Sequence, residues 1–180
     1  DRFEQAFNLC GAVPARLPFA WSTATLLASI AVARDLDVPR LQSSYRSVFV
    51  DAGPAHAAAL ALRESAALAD DALGEARLAK AYERFVYVPL GNLALDHLAQ
   101  QLEFLRHLIE READQTTPEL RREMRLQQQE FIDHHLGRWL PALGTAAVPL
   151  AGRCPFAGAI VALAQWLHKD QHWLDASVQG

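Results

Sequence analysis

Cysteine is almost missing: the 180 residues hold two, Cys10 and Cys154, far apart and without a Cys-x-x-Cys pair. That scarcity excludes a disulfide framework and a cysteine-based zinc site, and reduced thiols in the cytoplasm are the simplest state for them. A cationic surplus is also lacking, since the formal net charge is −4. There is no electrostatic footprint for nucleic acid, and a basic partner suits the chain better. Val, Ile and Thr are scarce beside Ala, Leu, Arg, Glu and Gln, and no alternating apolar pattern stands between turn residues, which argues against sheet. Enzyme signatures are absent too. There is no Gly-rich phosphate loop, no Gly-x-Ser-x-Gly, no His-Glu-x-x-His and no base beside either cysteine.

One long apolar run exists, Leu17 to Ala33, but Ser22, Thr25 and Ser29 recur along it as a thin polar stripe. It reads as a buried helix of a bundle, not a membrane span, and the acidic start lacks the basic segment and Ala-x-Ala context of a signal peptide. What is present is helix-forming sequence of one-domain length, with 51% hydrophobic and 21% charged residues. Short helices are expected over 2–10 and 18–35. Pro39 opens a third, on which Leu41, Tyr45, Val48 and Phe49 share a face. Residues 55–72 are helix-compatible, and Glu75 to Val88 carries Leu78, Tyr82 and Phe85 at helical spacing. Thr117-Pro118 with Glu119 starts a long helix that turns amphipathic at Phe131, His135, Leu136 and Trp139. Pro141 to Gly152 reads as a loop, and Pro155 opens the last helix. The fold class is therefore all-α, a single domain over residues 1–180 with about six to eight helices.

The helix expected over Leu93 to Arg111, capped by Asn92, organises the rest. On a wheel, Leu98, Leu102, Leu105 and Ile109 form an apolar stripe opposite Asp96, Gln100, Glu103, His107 and Glu110, with His97 at the edge between them. Two carboxylate–imidazole echoes, Glu103/His107 and Glu130/His134, have i,i+4 spacing where di-iron bundles use Glu-x-x-His, so they read as solvated pairs. His134-His135 reads as a capped surface, Asp96 as a charge at a helix start, and the tryptophans as core or groove lining. Residue types and spacing alone thus describe a helical binding module without visible chemistry.

The ordered motifs add a resemblance. Leu95-Asp96-His97 followed by Leu102-Glu103-Phe104-Leu105 resembles the Asp-His segment of the TorD/DmsD/NarJ family of chaperones for molybdopterin oxidoreductases. Tyr45-Arg-Ser-Val-Phe49 with Gly53-Pro54, Gly74-Glu75 ahead of Tyr82, and Phe131 to Pro141 resemble further family stretches in the same order over about residues 40–170. Two departures stand out: Leu95 replaces the common Pro before Asp-His, leaving that hinge more helical, and Arg63-Glu64-Ser65-Ala66-Ala67 keeps Glu-Ser without the flanking aromatics.

The resemblance implies a non-enzymatic, cytoplasmic, TorD-like chaperone without a cofactor. Its partner would be the apo catalytic subunit of a molybdopterin oxidoreductase, bound through an N-terminal twin-arginine leader and held until cofactor insertion and folding are complete. It implies a peptide site at Asp96, as arginine partner, and His97, as a groove-edge residue, with Glu64, Tyr82 and Glu103 beside them. An imidazole at that edge makes leader affinity pH-dependent. The alternatives are a NarJ-like assembly factor for a non-exported subunit, a metal-binding helical-bundle enzyme, and an unrelated helical adaptor. The chain would be a monomer, or a dimer swapping elements about a hinge over 142–153.

Overall fold

The computed structural model describes residues 28–50, 60–68 and 72–179. The expected helix over 2–10, most of that over 18–35, and Cys10 lie outside them. Among the described residues the structure is all-α, without strands. Its contacts divide into two compact units, Asp1–Leu60 with Pro141–Lys169 and Ala61–Leu140 with Asp170–Gly180.

In the first unit residues 28–34 are helical, followed by α1 at Val38–Phe49. Asp37 caps α1, accepting from the Arg40 N–H at 2.9 Å, and Leu41 and Val48 are buried while Tyr45 stays exposed. The expected common face is thus filled only in part. The Tyr45 ring lies 5.0 Å from Phe49 and 5.4 Å from Phe156. Gly158 permits a close approach to buried Ser29, because a Cβ there would fall 2.1 Å from the Ser29 Oγ.

The second unit holds α2 (Glu64–Leu68), α3 (Ala72–Arg84), α4 (Leu98–Ala113) and α5 (Pro118–Phe131). A π-helical turn, Ile132–Leu136, follows α5, and α6 (Gly137–Ala147) and α7 (Pro155–Gln179) each contribute to both units. α4 and α5 form an antiparallel hairpin, for Phe104 meets Phe131 at 4.8 Å and Glu112 binds Arg125 at 2.6 Å. Thr117 caps α5 as its sequence predicts, accepting from the Leu120 N–H at 3.3 Å. Phe104, ringed by Tyr82, Phe85, Tyr87 and Phe131, anchors the core.

Three expectations change. Pro141 and Gly144 lie inside α6, not in a loop, and residues 148–150 form a 3₁₀ turn, so most of the expected 142–153 hinge is helical. Burial of Leu143 and Ala147 on α6 outweighs the hydrogen bond that Pro141 cannot make. The organising helix begins at Leu98, with His97 and not Asn92 as its cap. Its buried arc holds Leu98, Gln100, Gln101, Phe104, Leu105 and Leu108 while Ile109 is exposed, a rotation of about 80° from the expected stripe at 100° per residue. Two glutamines turn inward because the chain supplies partners for their amides.

Candidate functional site

The site begins with a two-residue antiparallel bridge, Arg63 opposite His97. The Glu64 N–H donates to the Asp96 carbonyl at 3.1 Å and the Leu98 N–H to the Leu62 carbonyl at 2.8 Å. Beside it the His97 N–H closes a turn onto the Ala94 carbonyl at 3.0 Å. Residues 94–97 are therefore a turn, not the more helical hinge expected from the missing Pro. Tyr82, buried in the aromatic core, donates its hydroxyl to the Leu95 carbonyl at 2.9 Å and holds that turn down. Burial, followed by the Tyr87 phenol and the carboxylates of Glu64 and Asp96, raises the Tyr82 phenol pKa, so it stays a donor.

The bridge sets two carboxylates side by side in sequence register and buries both. Asp96 accepts from Arg63 Nε at 2.8 Å, the Ser65 N–H at 3.1 Å and Ser65 Oγ at 2.5 Å, thereby capping α2. Burial pushes its carboxyl up, but the bonds from Ser65 and Arg63 more than offset this and hold it below the ordinary carboxylate value. Glu64 Oε2 accepts from Gln101 Nε2 at 2.6 Å and lies 3.1 Å from His135 Nδ1. Glu64 Oε1 has no hydrogen-bond partner and faces Arg138 Nη1 at 3.6 Å. Gln101 passes the network on, accepting at Oε1 from the Trp139 indole at 3.3 Å.

His97 is half-buried. Its Nδ1 accepts from the Ala99 N–H at 3.1 Å, so that nitrogen is unprotonated when the cap is made. Burial lowers its pKa; Arg63 adds to this while Asp96 opposes it. Glu103 stands apart from the cluster, paired with Arg106 at 2.5 Å, whose hydrogen bond lowers its pKa. His107 approaches the Phe85 carbonyl at 3.2 Å. His135, expected on a capped surface, is buried. The π-helical turn explains this: Phe131, Ile132, His135, Leu136, Trp139 and Leu140 are all buried, a four-residue spacing that a regular helix would rotate off one face. Sequence reasoning missed Arg63, Ser65, Gln101, His135 and Arg138 as members of the site. The Glu-Ser remnant was the only signal for any of them.

His135 also lines an open cleft of about 190 Å³ between α3 and the end of α5, floored by Ala81, Phe85 and Phe131 and rimmed by Arg77, Arg84 and Glu130. Among the described residues no three His, Cys, Asp or Glu side chains are grouped to hold a metal ion. The arrangement offers buried carboxylates and a small apolar cleft, which is binding chemistry.

The family model for the nitrate reductase delta subunit matches residues 16–144. The chain belongs to that family. Its members are redox enzyme maturation chaperones, so the protein is in general terms a molybdoenzyme maturation chaperone, an assembly factor. No curated protein and no solved structure matches the chain. The family match contains every residue of the carboxylate network, from Arg63 to Trp139, and stops before α7. Among the described residues no helix is long and apolar enough to cross a membrane.

Proposed function

We propose that this family member binds the N-terminal twin-arginine leader of an apo molybdopterin oxidoreductase catalytic subunit in the cytoplasm and releases it once the cofactor is inserted and the subunit folded. One observation carries the reading. Asp96 and Glu64, with side chains 3% and 1% exposed, each face a guanidinium from the chain itself, and those arginines, Arg63 and Arg138, are 47% and 40% exposed. A leader presents two guanidinium groups of the same shape and charge. It takes the two carboxylates by exchange with Arg63 and Arg138, so no carboxylate is left unpaired in the bound state. The Glu64 Oε1 that lacks a hydrogen bond gains one in the exchange. Half-buried His97 edges the entry, Tyr82 acts by holding the turn, and Glu103 offers a carboxylate nearly two helical turns further along α4. The cleft beside His135 has room for one or two apolar side chains of the leader.

Calorimetric titration with a panel of leader peptides tests this. Asp96→Ala and Glu64→Gln weaken binding, whereas Arg63→Ala, in protein shown by circular dichroism to be folded, strengthens it by removing the internal competitor. Indifference to Asp96 and Glu64, or weaker binding by folded Arg63→Ala, would sink the exchange. The family description favours a second reading, an assembly factor for a nitrate reductase-like subunit that is not exported and keeps a remnant leader. The two part on the client: binding that survives replacement of both client arginines selects the second.

A further inference from the structure

A second open pocket, about 410 Å³, lies in the second unit among α4, α5 and the C-terminal part of α7, largely outside the carboxylate network. Its α7 wall, Asp170 and Trp173, lies beyond the part of the chain that the family match covers. The charged groups on the other two walls already have partners. Glu112 accepts from Arg125 Nε at 2.6 Å and from Gln128 Nε2 at 2.8 Å. Arg125 also lies over the Trp173 ring at 5.1 Å, and Arg121 Nε donates to the Gln115 carbonyl at 2.9 Å. Asp170 is the exception: among the described residues its carboxyl makes no hydrogen bond and no ion pair, although the residue is half-buried. Burial, and then the nearby negative charge of Glu112, push its pKa up to about 6. Two exposed apolar surfaces flank it, Trp173 at 47% and Ile109 at 40%.

We propose that this pocket holds a basic side chain of a partner polypeptide, its alkyl stem laid along Ile109 and Trp173 and its cationic head on the Asp170 carboxylate. A cation supplies what the pocket lacks: an ion-pair partner for the half-buried carboxyl and relief of its repulsion from Glu112. An anion would face the unpaired Asp170 carboxylate, and a wholly apolar group would leave it without a partner. An arginine and a lysine share this chemistry, and the guanidinium is favoured because it also stacks on an indole. That the partner is the client subunit rests on the function proposed above; the pocket's selectivity for a cation does not.

The test uses the full chain with small probes, the N-acetyl amides of arginine and lysine at millimolar concentration, and follows the Trp173 indole N–H resonance, assigned with Trp173→Phe. Saturable shifts are expected with arginine, weaker ones with lysine and none with the N-acetyl amide of norleucine. Asp170→Asn reduces arginine affinity about tenfold, as loss of one charge-assisted contact should. Lowering the pH through about 6 weakens binding by the wild type as Asp170 takes up its proton and leaves the Asp170→Asn variant unchanged. The other charged groups that line the pocket are Glu112, Arg121 and Arg125. No shift with arginine, an equal shift with norleucine, or full affinity in Asp170→Asn overturns the proposal. Leader peptides titrated against the same variants separate the two sites: if leaders fail to bind while the arginine probe still shifts Trp173, the leader reading falls and the pocket stands.

Discussion

Asp96 is the residue on which local stability and proposed recognition coincide. Replacing it with Ala strips Ser65 and Arg63 of their acceptor and uncaps α2, and the expected loss is about 2–3 kcal/mol, moderated by the exposure of Arg63. Urea unfolding at neutral pH reads this as a lower midpoint with unchanged slope. Its carboxyl is held below the ordinary 3.8, so the folded state is favoured above that pH, and the contribution fades as acid carries the group through its lowered folded value. The wild type and Asp96→Ala should therefore converge in strong acid. His97 works at higher pH. Its value lies below the ordinary 6.5, so its stabilisation is complete above that pH and is lost as pH falls through the lower folded value, where protonation of Nδ1 breaks the cap. His97→Ala costs about 1 kcal/mol at neutral pH, while His97→Asn keeps a capping oxygen and removes this part of the acid sensitivity. Equal slopes of stability against pH for His97→Asn and wild type would count against His97 as the titrating cap.

At the scale of elements, the turn before α4 and the π-helical turn after α5 set the site. Leu95 is the second residue of the turn closed by His97 and Ala94, a position where proline is favoured, and its carbonyl, which proline retains, is what Tyr82 binds. Leu95→Pro is expected to be tolerated and to stabilise by about 0.5–1 kcal/mol, measured as a raised midpoint. The opposite sign holds at Gly137, where Ala would improve an ordinary helix. Here a Cβ would fall 2.9 Å from the Ile132 carbonyl oxygen and 3.1 Å from Gln171 Nε2. Gly137→Ala should destabilise by about 1–3 kcal/mol and disturb the burial of His135 next to it. Proton spectra of His135 in that variant report whether its contact with Glu64 survives.

For the whole molecule, the net charge of −4 agrees with a basic partner segment and with binding that weakens as salt rises. A leader that binds only the folded protein stabilises it by about 2.7 kcal/mol at a hundred times its Kd, which for a chain of this size raises Tm by about 5–10 °C. Differential scanning calorimetry with and without leader measures it. If the two compact units melt in separate steps, the step of the unit carrying Asp96 moves and the other stays. A shift confined to the other unit would place the leader elsewhere.

Helix content, the Thr117 cap, the start at Pro155 and the all-α class were legible in the sequence because each depends on neighbours a few residues away. The ordered motifs carried the family in the same way. Of the expected site residues, tertiary structure brings Glu64, Asp96, His97 and Tyr82 together and leaves Glu103 on Arg106. It alone decided that Gln100 and Gln101 turn inward, that His135 is buried against a residue 71 positions earlier, and that Pro141 continues a helix. The physical reason is the same in each case. Whether a polar group is buried depends on a partner supplied from a distant segment, here the Arg63–His97 bridge and the π-helical turn, and helical periodicity carries no information about such partners.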